Sequence, residues 1–178
     1  MDSFTVIALM GAAAVAIGQT VVRRTRNPSA EVPYGQLPVD LREEVERVLP
    51  GFVPRLARLT KQRDEARVEG GIGGATFRVE ADFDRQGQLV EFEAETRCAR
   101  RRLGMASADD LPEPAAREIE RVLGESASGF RRRSVSHGKA GDEPYYEVEG
   151  RDDTWKWEIV VTASGRLLEL EKERRRKR

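Results

Sequence analysis

The chain has 178 residues, 35% of them charged and 39% hydrophobic, too apolar for a disordered polymer and too charged for a deep core. Its formal charge of zero hides +1 on residues 1–36 and +5 on residues 172–178, which leaves −6 on the body from Leu37 to Glu171 and argues against nucleic acid as a partner. A single cysteine, Cys98, and a single histidine, His137, exclude an intramolecular disulfide and offer no cysteine pair for zinc.

Phe4 to Val22 carries no charge and is close to the shortest run that spans a bilayer as a helix. Residues 1–26 are therefore expected to be a transmembrane anchor or signal segment. Ala14-Val15-Ala16 resembles a cleavage site, but only Asp2 and no basic residue precedes the apolar run. Arg23, Arg24 and Arg26 would hold their side in the cytoplasm, so the side of the membrane stays open. The expected location is membrane-associated or exported. Residues 27–36, with Pro28, Pro33 and Gly35, are expected to be a linker.

Leu37-Pro38 leads into a helix in which Leu41, Val45 and Val48 make one apolar stripe and Pro50-Gly51 ends it. Strands are expected near Arg55–Arg63 and Ala66–Glu69, separated from the next by the loose turn Gly70–Gly74, which lacks the Lys and Ser/Thr of a P-loop. From Ala75 to Phe83 the period is two, with Phe77, Val79, Ala81 and Phe83 inward. After the turn at Asp84–Gly87 the chain is expected to return with Val90, Phe92 and Ala94 inward and Glu91, Glu93 and Glu95 outward. Residues 97–110, with Arg97, Arg100, Arg101 and Arg102, read as an exposed connector.

The same words then recur. Leu111-Pro112 precedes a helix at about Ala115–Leu123, stopped by Gly124, and Glu120-Arg121-Val122-Leu123 repeats Glu46-Arg47-Val48-Leu49. Strands are expected at Phe130–Ser136 and Tyr145–Glu149, with His137 in a loop. Trp155, Trp157, Ile159 and Val161 share a core face, Ala163–Gly165 turns, and Leu168 and Leu170 come back inward opposite Glu169 and Glu171. Gly165 to Glu171 repeats Gly87 to Glu93. The expected fold is α+β: two tandem units, 37–96 and 111–173, each a helix packed on an antiparallel meander, behind an N-terminal apolar helix and before the basic tail 174–178.

Leu-Pro before a short helix, a helix stop, an aromatic alternating strand and a turn ending in Gly-x-Leu-x-Glu, twice in that order, resembles the PepSY-like modules and the beta-lactamase-inhibitor-like proteins. The second copy departs from the pattern at Gly124, where the first has Pro50, and in the insertion-like stretch 137–144. The resemblance implies extracytoplasmic or membrane-linked modules that bind proteases or other envelope enzymes and inhibit or regulate them without chemistry of their own. It carries over no catalytic residue. In such inhibitors a concave sheet grips the partner.

The residues themselves point the same way. A hydrolytic triad needs a base beside its nucleophile, and His137 is the only histidine. Outward carboxylates two apart on a strand stand about 7 Å from each other, too far for a tight calcium shell. No catalytic residue, cofactor or metal site is expected. The candidate partner-binding residues are Arg78, Glu80, Glu91, Glu93, Lys156, Glu158, Glu169 and Glu171, an outward face open to a basic protein partner or to the chain's own tail. The expected contacts are thus a protein partner, the membrane through residues 4–22, and self-association. The alternative is an envelope scaffold or sensory ectodomain without inhibitory activity.

Overall fold

A computed structural model describes residues 29–175. The anchor or signal segment 1–26 and the end of the basic tail, 176–178, lie outside the described residues. Among those described, no helix is long and apolar enough to cross a membrane.

Two helices form where the apolar spacing is helical. In α1 (Val39–Val48) the buried stripe is Leu41, Val45 and Val48; in α2 (Glu113–Leu123) it is Ala115, Ile119, Val122 and Leu123. A proline, Pro38 or Pro112, precedes each helix, and Asp40 or Glu113 lies in its first turn, where a negative charge suits the helix dipole. The strands are β1 (Ser29–Glu31), β2 (Val53–Thr60), β3 (Glu65–Ile72), β4 (Ala75–Phe83), β5 (Leu89–Thr96), β6 (Arg100–Met105), β7 (Arg131–Ala140), β8 (Glu143–Arg151), β9 (Trp155–Thr162) and β10 (Leu167–Arg174). They make one antiparallel sheet in the order β1-β2-β3-β4-β5-β10-β9-β8-β7-β6.

This corrects the expectation of two helix-plus-meander units. β5 and β10 pair directly from Glu91↔Glu173 to Glu95↔Glu169, and one apolar cluster takes in residues of both helices and of strands on both sides of that pairing. The physical reason is the open edge. Either half alone would leave its last strand unpaired, exposing backbone donors and acceptors, and would bury too little surface for stability. Other expectations change with it. The linker contains β1 and a 3-10 turn at Tyr34–Gln36, the connector contains edge strand β6, and the insertion-like stretch 137–144 belongs to the β7–β8 hairpin, with His137 inside β7.

The repeated Gly-x-Leu-x-Glu holds a second correction. Each copy contains a bulge: the register slips so that Val90 is extra between Leu89 and Glu91, and Leu168 between Leu167 and Glu169. An extra residue reverses the alternation. Leu89 and Leu167 therefore join the helix-side core, whereas Leu168 packs on the opposite face with Tyr145 and Val160. Gly87 and Gly165, at φ 78° and 85°, make the turns before these bulges, a backbone region that favours glycine.

The repeated Arg-Val-Leu binds the two helices to each other. Arg121 donates from Nη1 to the Arg47 carbonyl and from Nη2 to the Val48 carbonyl, both at 2.8 Å, and Arg47 donates from Nη1 to the Val122 carbonyl. Each arginine thus satisfies carbonyls that the other helix leaves unpaired at its C-terminus. Glu44 and Glu118 hold the two guanidinium groups at 2.5 and 2.7 Å. Replacing Arg47 or Arg121 by Met is expected to lower unfolding stability by about 1–2 kcal/mol each. The double variant should lose less than the sum, because either change already lets the helix ends part. Chemical denaturation of the four proteins measures this, and strict additivity would contradict the reciprocal arrangement.

Candidate functional site

Among the described residues, the helices lie on one side of the sheet and no helix covers the other face. Register gives its composition. Glu80 on β4 stands opposite Glu93 on β5, Glu93 opposite Glu171 on β10, Glu171 opposite Glu158 on β9, and Glu158 opposite Glu149 on β8. Five carboxylates therefore cross five neighbouring strands in one row, with Cβ atoms about 4.5–5.5 Å apart.

This face is concave. The chain leaves β5 at Thr96 and enters β6 at Arg100, a span of at most about 14 Å. Five strand intervals separate β5 from β6 in the sheet, about 24 Å if it were flat. The sheet must curl, and the contacts show the direction. Arg100 on β6 pairs with Glu169 on β10, and Arg102 reaches Glu147 on β8 at 3.7 Å. Cys98 packs on the open-face cluster of Tyr145, Val160 and Leu168. Gly138 permits the curl, since a Cβ there would collide with the Arg101 carbonyl and the Tyr145 ring.

Three cations on this face are engaged at the margins of the row. Arg78 pairs with Glu80 and lies 3.8 Å from Glu95, Arg67 lies 3.3 Å from Glu80, and Lys156 pairs with Glu173 at 2.8 Å. Among the described residues, Glu93, Glu149, Glu158 and Glu171 have no ion-pair partner within 4 Å. Burial first, and then Glu95, Glu80, Glu169 and Glu171, push the Glu93 carboxyl up to about 7. Burial, followed by Glu147, Glu169, Glu171 and Glu149, does the same for Glu158, also to about 7. Glu171 is raised as well, chiefly by burial, with Lys156 opposing. A recess of about 160 Å³ lies in the row between Glu149, Glu158 and Glu171, rimmed by Arg133, Lys156 and Glu173.

All eight candidate residues, Arg78, Glu80, Glu91, Glu93, Lys156, Glu158, Glu169 and Glu171, lie on this face. Arg78 and Glu80 pair with each other; Glu169 and Lys156 are taken by Arg100 and Glu173. Sequence reasoning missed Glu147 and Glu149, although the alternation in Tyr145–Glu149 signals them. It also missed Arg100 and Arg102 as members of the face, because only the curl brings them there. Cys98 and His137 are on opposite faces: Cys98 accompanies Tyr145 and Val160, whereas His137 shares the strand face of the core residue Val135.

No protein-family model matches the chain, and no curated protein does. Among solved structures it is similar to a DUF2874 family protein from Bacteroides uniformis ATCC 8492, with 16% identity over 76% of this chain and 88% of that one and a TM-score of 0.32. It is also similar to a BLIP-like protein from Bacteroides fragilis NCTC 9343, with 12% identity over 77% and 86% and a TM-score of 0.32. Superposition this shallow assigns neither fold nor function, and it does not show a PepSY-like module.

The row makes stability depend on pH in an unusual sense. Glu93 and Glu158 have folded-state values near 7 against an ordinary 4.5, so the folded chain binds more protons than the unfolded one in that interval. The stability they confer is complete below about 4.5 and is lost as pH rises through 7. Thermal unfolding should therefore give a higher Tm at pH 5 than at pH 8. Glu93→Gln/Glu158→Gln should raise the pH 8 value and flatten the slope; a wild-type Tm that rises steadily from pH 5 to 8 would contradict the site as described.

Proposed function

We propose that this chain is a non-enzymatic protein-binding module that takes a cationic region of a partner protein onto the concave, acidic face of its sheet. One observation supports this above the others: four neighbouring carboxylates that, among the described residues, have no ion-pair partner within 4 Å, on a broad sheet face that no described helix covers. Like charges directly opposite one another weaken a sheet, so the row disfavours folding and gains its counterpart on binding. The recess between Glu149, Glu158 and Glu171 has room for one lysine or arginine side chain, and such buried cations are common anchors of protein interfaces. On this reading Glu93, Glu158 and Glu171 form the binding row, and Arg78, Glu80, Lys156 and Glu169 belong to the pairs that frame it.

The partner fits the chemistry of an envelope enzyme or protease whose basic surface is occupied and thereby regulated. Residues 1–26 would keep the module at the membrane or export it, and residues 37–96 and 111–173 are two copies of a duplicated sequence within the one sheet.

Titration of an arginine-rich peptide into the full chain tests the face. Binding should weaken with salt, and it should be weaker at pH 6 than at pH 8 because bound cations compete with protons. Glu93→Gln/Glu158→Gln/Glu171→Gln should lower the affinity roughly tenfold or more, whereas Glu43→Gln/Glu46→Gln/Glu120→Gln, on the exposed helix surfaces, should leave it unchanged. Equal losses in the two triple variants would remove the sheet face from the account.

A further inference from the structure

The β5–β10 seam joins two strands of the same sequence, and this has a consequence for assembly. Glu93 faces Glu171, its own counterpart in the repeat, and the pairs on either side, Glu91↔Glu173 and Glu95↔Glu169, are arranged about that point as in a two-fold dimer. The helices repeat the symmetry, since Arg47 and Arg121 exchange carbonyls. We infer that the seam is open to a second copy of this chain: two molecules exchange halves, and β5 of each pairs with β10 of the other.

Three features carry this. First, the halves are joined by only Arg97–Ala99 between β5 and β6. That short hinge is folded by the bond from the Cys98 N–H to the Thr96 carbonyl at 2.9 Å, with the Cys98 thiol 3.3 Å from the Thr96 hydroxyl, and short bent hinges favour exchange when they straighten. Second, every other contact across the seam is remade in the exchanged form. The ladder returns, as do the arginine–carbonyl bonds, the bond from the Thr96 hydroxyl to the Leu168 carbonyl, and the pair of Lys172 with Glu44. Third, at the centre of the seam's open side Glu93 stands opposite Glu171, and neither has an ion-pair partner within 4 Å among the described residues, which lowers the barrier to parting the strands at neutral pH.

Because both forms share their contacts, concentration decides between them. A short linker gives an effective concentration in the millimolar range, so dilute refolding yields monomer and concentrated refolding yields dimer. The experiment refolds the full chain from denaturant at low micromolar and at about 1 mM concentration, followed by size-exclusion chromatography with light scattering. The inference expects a folded dimer only from the concentrated sample, and one that persists on dilution.

The seam is then identified with two Cys98→Ser chains refolded together, one carrying Glu93→Cys and the other Glu171→Cys. Exchange yields disulfide-linked heterodimers in large excess over either homodimer. Monomer alone at the high concentration would overturn the inference. So would a dimer whose disulfides form in the proportions of random collision, which would place the contact elsewhere.

Discussion

The backbone pairing of β5 with β10 imposes the arrangement of the other long-range elements. Two strands with the same sequence meet edge to edge, and the sheet becomes continuous from β1 to β6. The helices that precede each set of strands are thereby brought side by side, close enough for Arg47 and Arg121 to reach each other's carbonyls. The pairing is uneven in its energetics. On the helix side it stacks Phe92, Ala94 and Leu170 into a dry core, which strongly stabilises the fold. On the open side the alternate pairs of the same ladder set glutamate against glutamate.

A buried ion pair secures the seam from the helix side. Lys172 on β10 reaches Glu44 on α1 at 2.7 Å and lies over Trp155 at 4.6 Å and Trp157 at 5.5 Å. Burial works against the Glu44 charge, but bonds from Arg47 and Lys172 outweigh it and hold the carboxyl below its ordinary value. Burial also lowers the lysine, with Glu44 opposing. Such a pair adds little net stability over an apolar replacement, yet losing one partner strands the other. Its consequence is placement: it ties the first helix to the last strand. The acidic face and the fold are thus connected, because the contacts that close the core also line up the carboxylates behind it.

Much of this was legible in the sequence where one residue's surroundings are local. The stripes Leu41, Val45, Val48 and Ile119, Val122, Leu123 foretold both helices, and the alternation from Ala75 to Phe83 and from Trp155 to Val161 foretold two strands and their core faces. The outward glutamates were legible too, since alternation alone separates Glu93 and Glu171 from Phe92 and Leu170. What was hidden is tertiary. Arg100–Met105 is mostly exposed and has no alternation to betray an edge strand. The bulges at Val90 and Leu168 bring Leu89 and Leu167 into the helix-side core and put Leu168, expected inward, on the open face. Nothing in either copy says that its last strand will pair with the other copy, so the sequence predicts two units where the structure has one sheet. The close approach of the carboxylates in the row follows from that pairing and is equally invisible in the sequence.

Among the described residues, the row from Glu80 to Glu149 holds carboxylates close together without ion pairs at its middle. The most direct measurement is a pH titration of the full chain followed by carbon-detected NMR of the glutamate side-chain carboxyls, with Glu93 and Glu158 assigned by their Gln variants. The account predicts that these two titrate near 7 and that an added arginine-rich peptide moves both downward. Titration of both in the ordinary glutamate range, unchanged by the peptide, would contradict it.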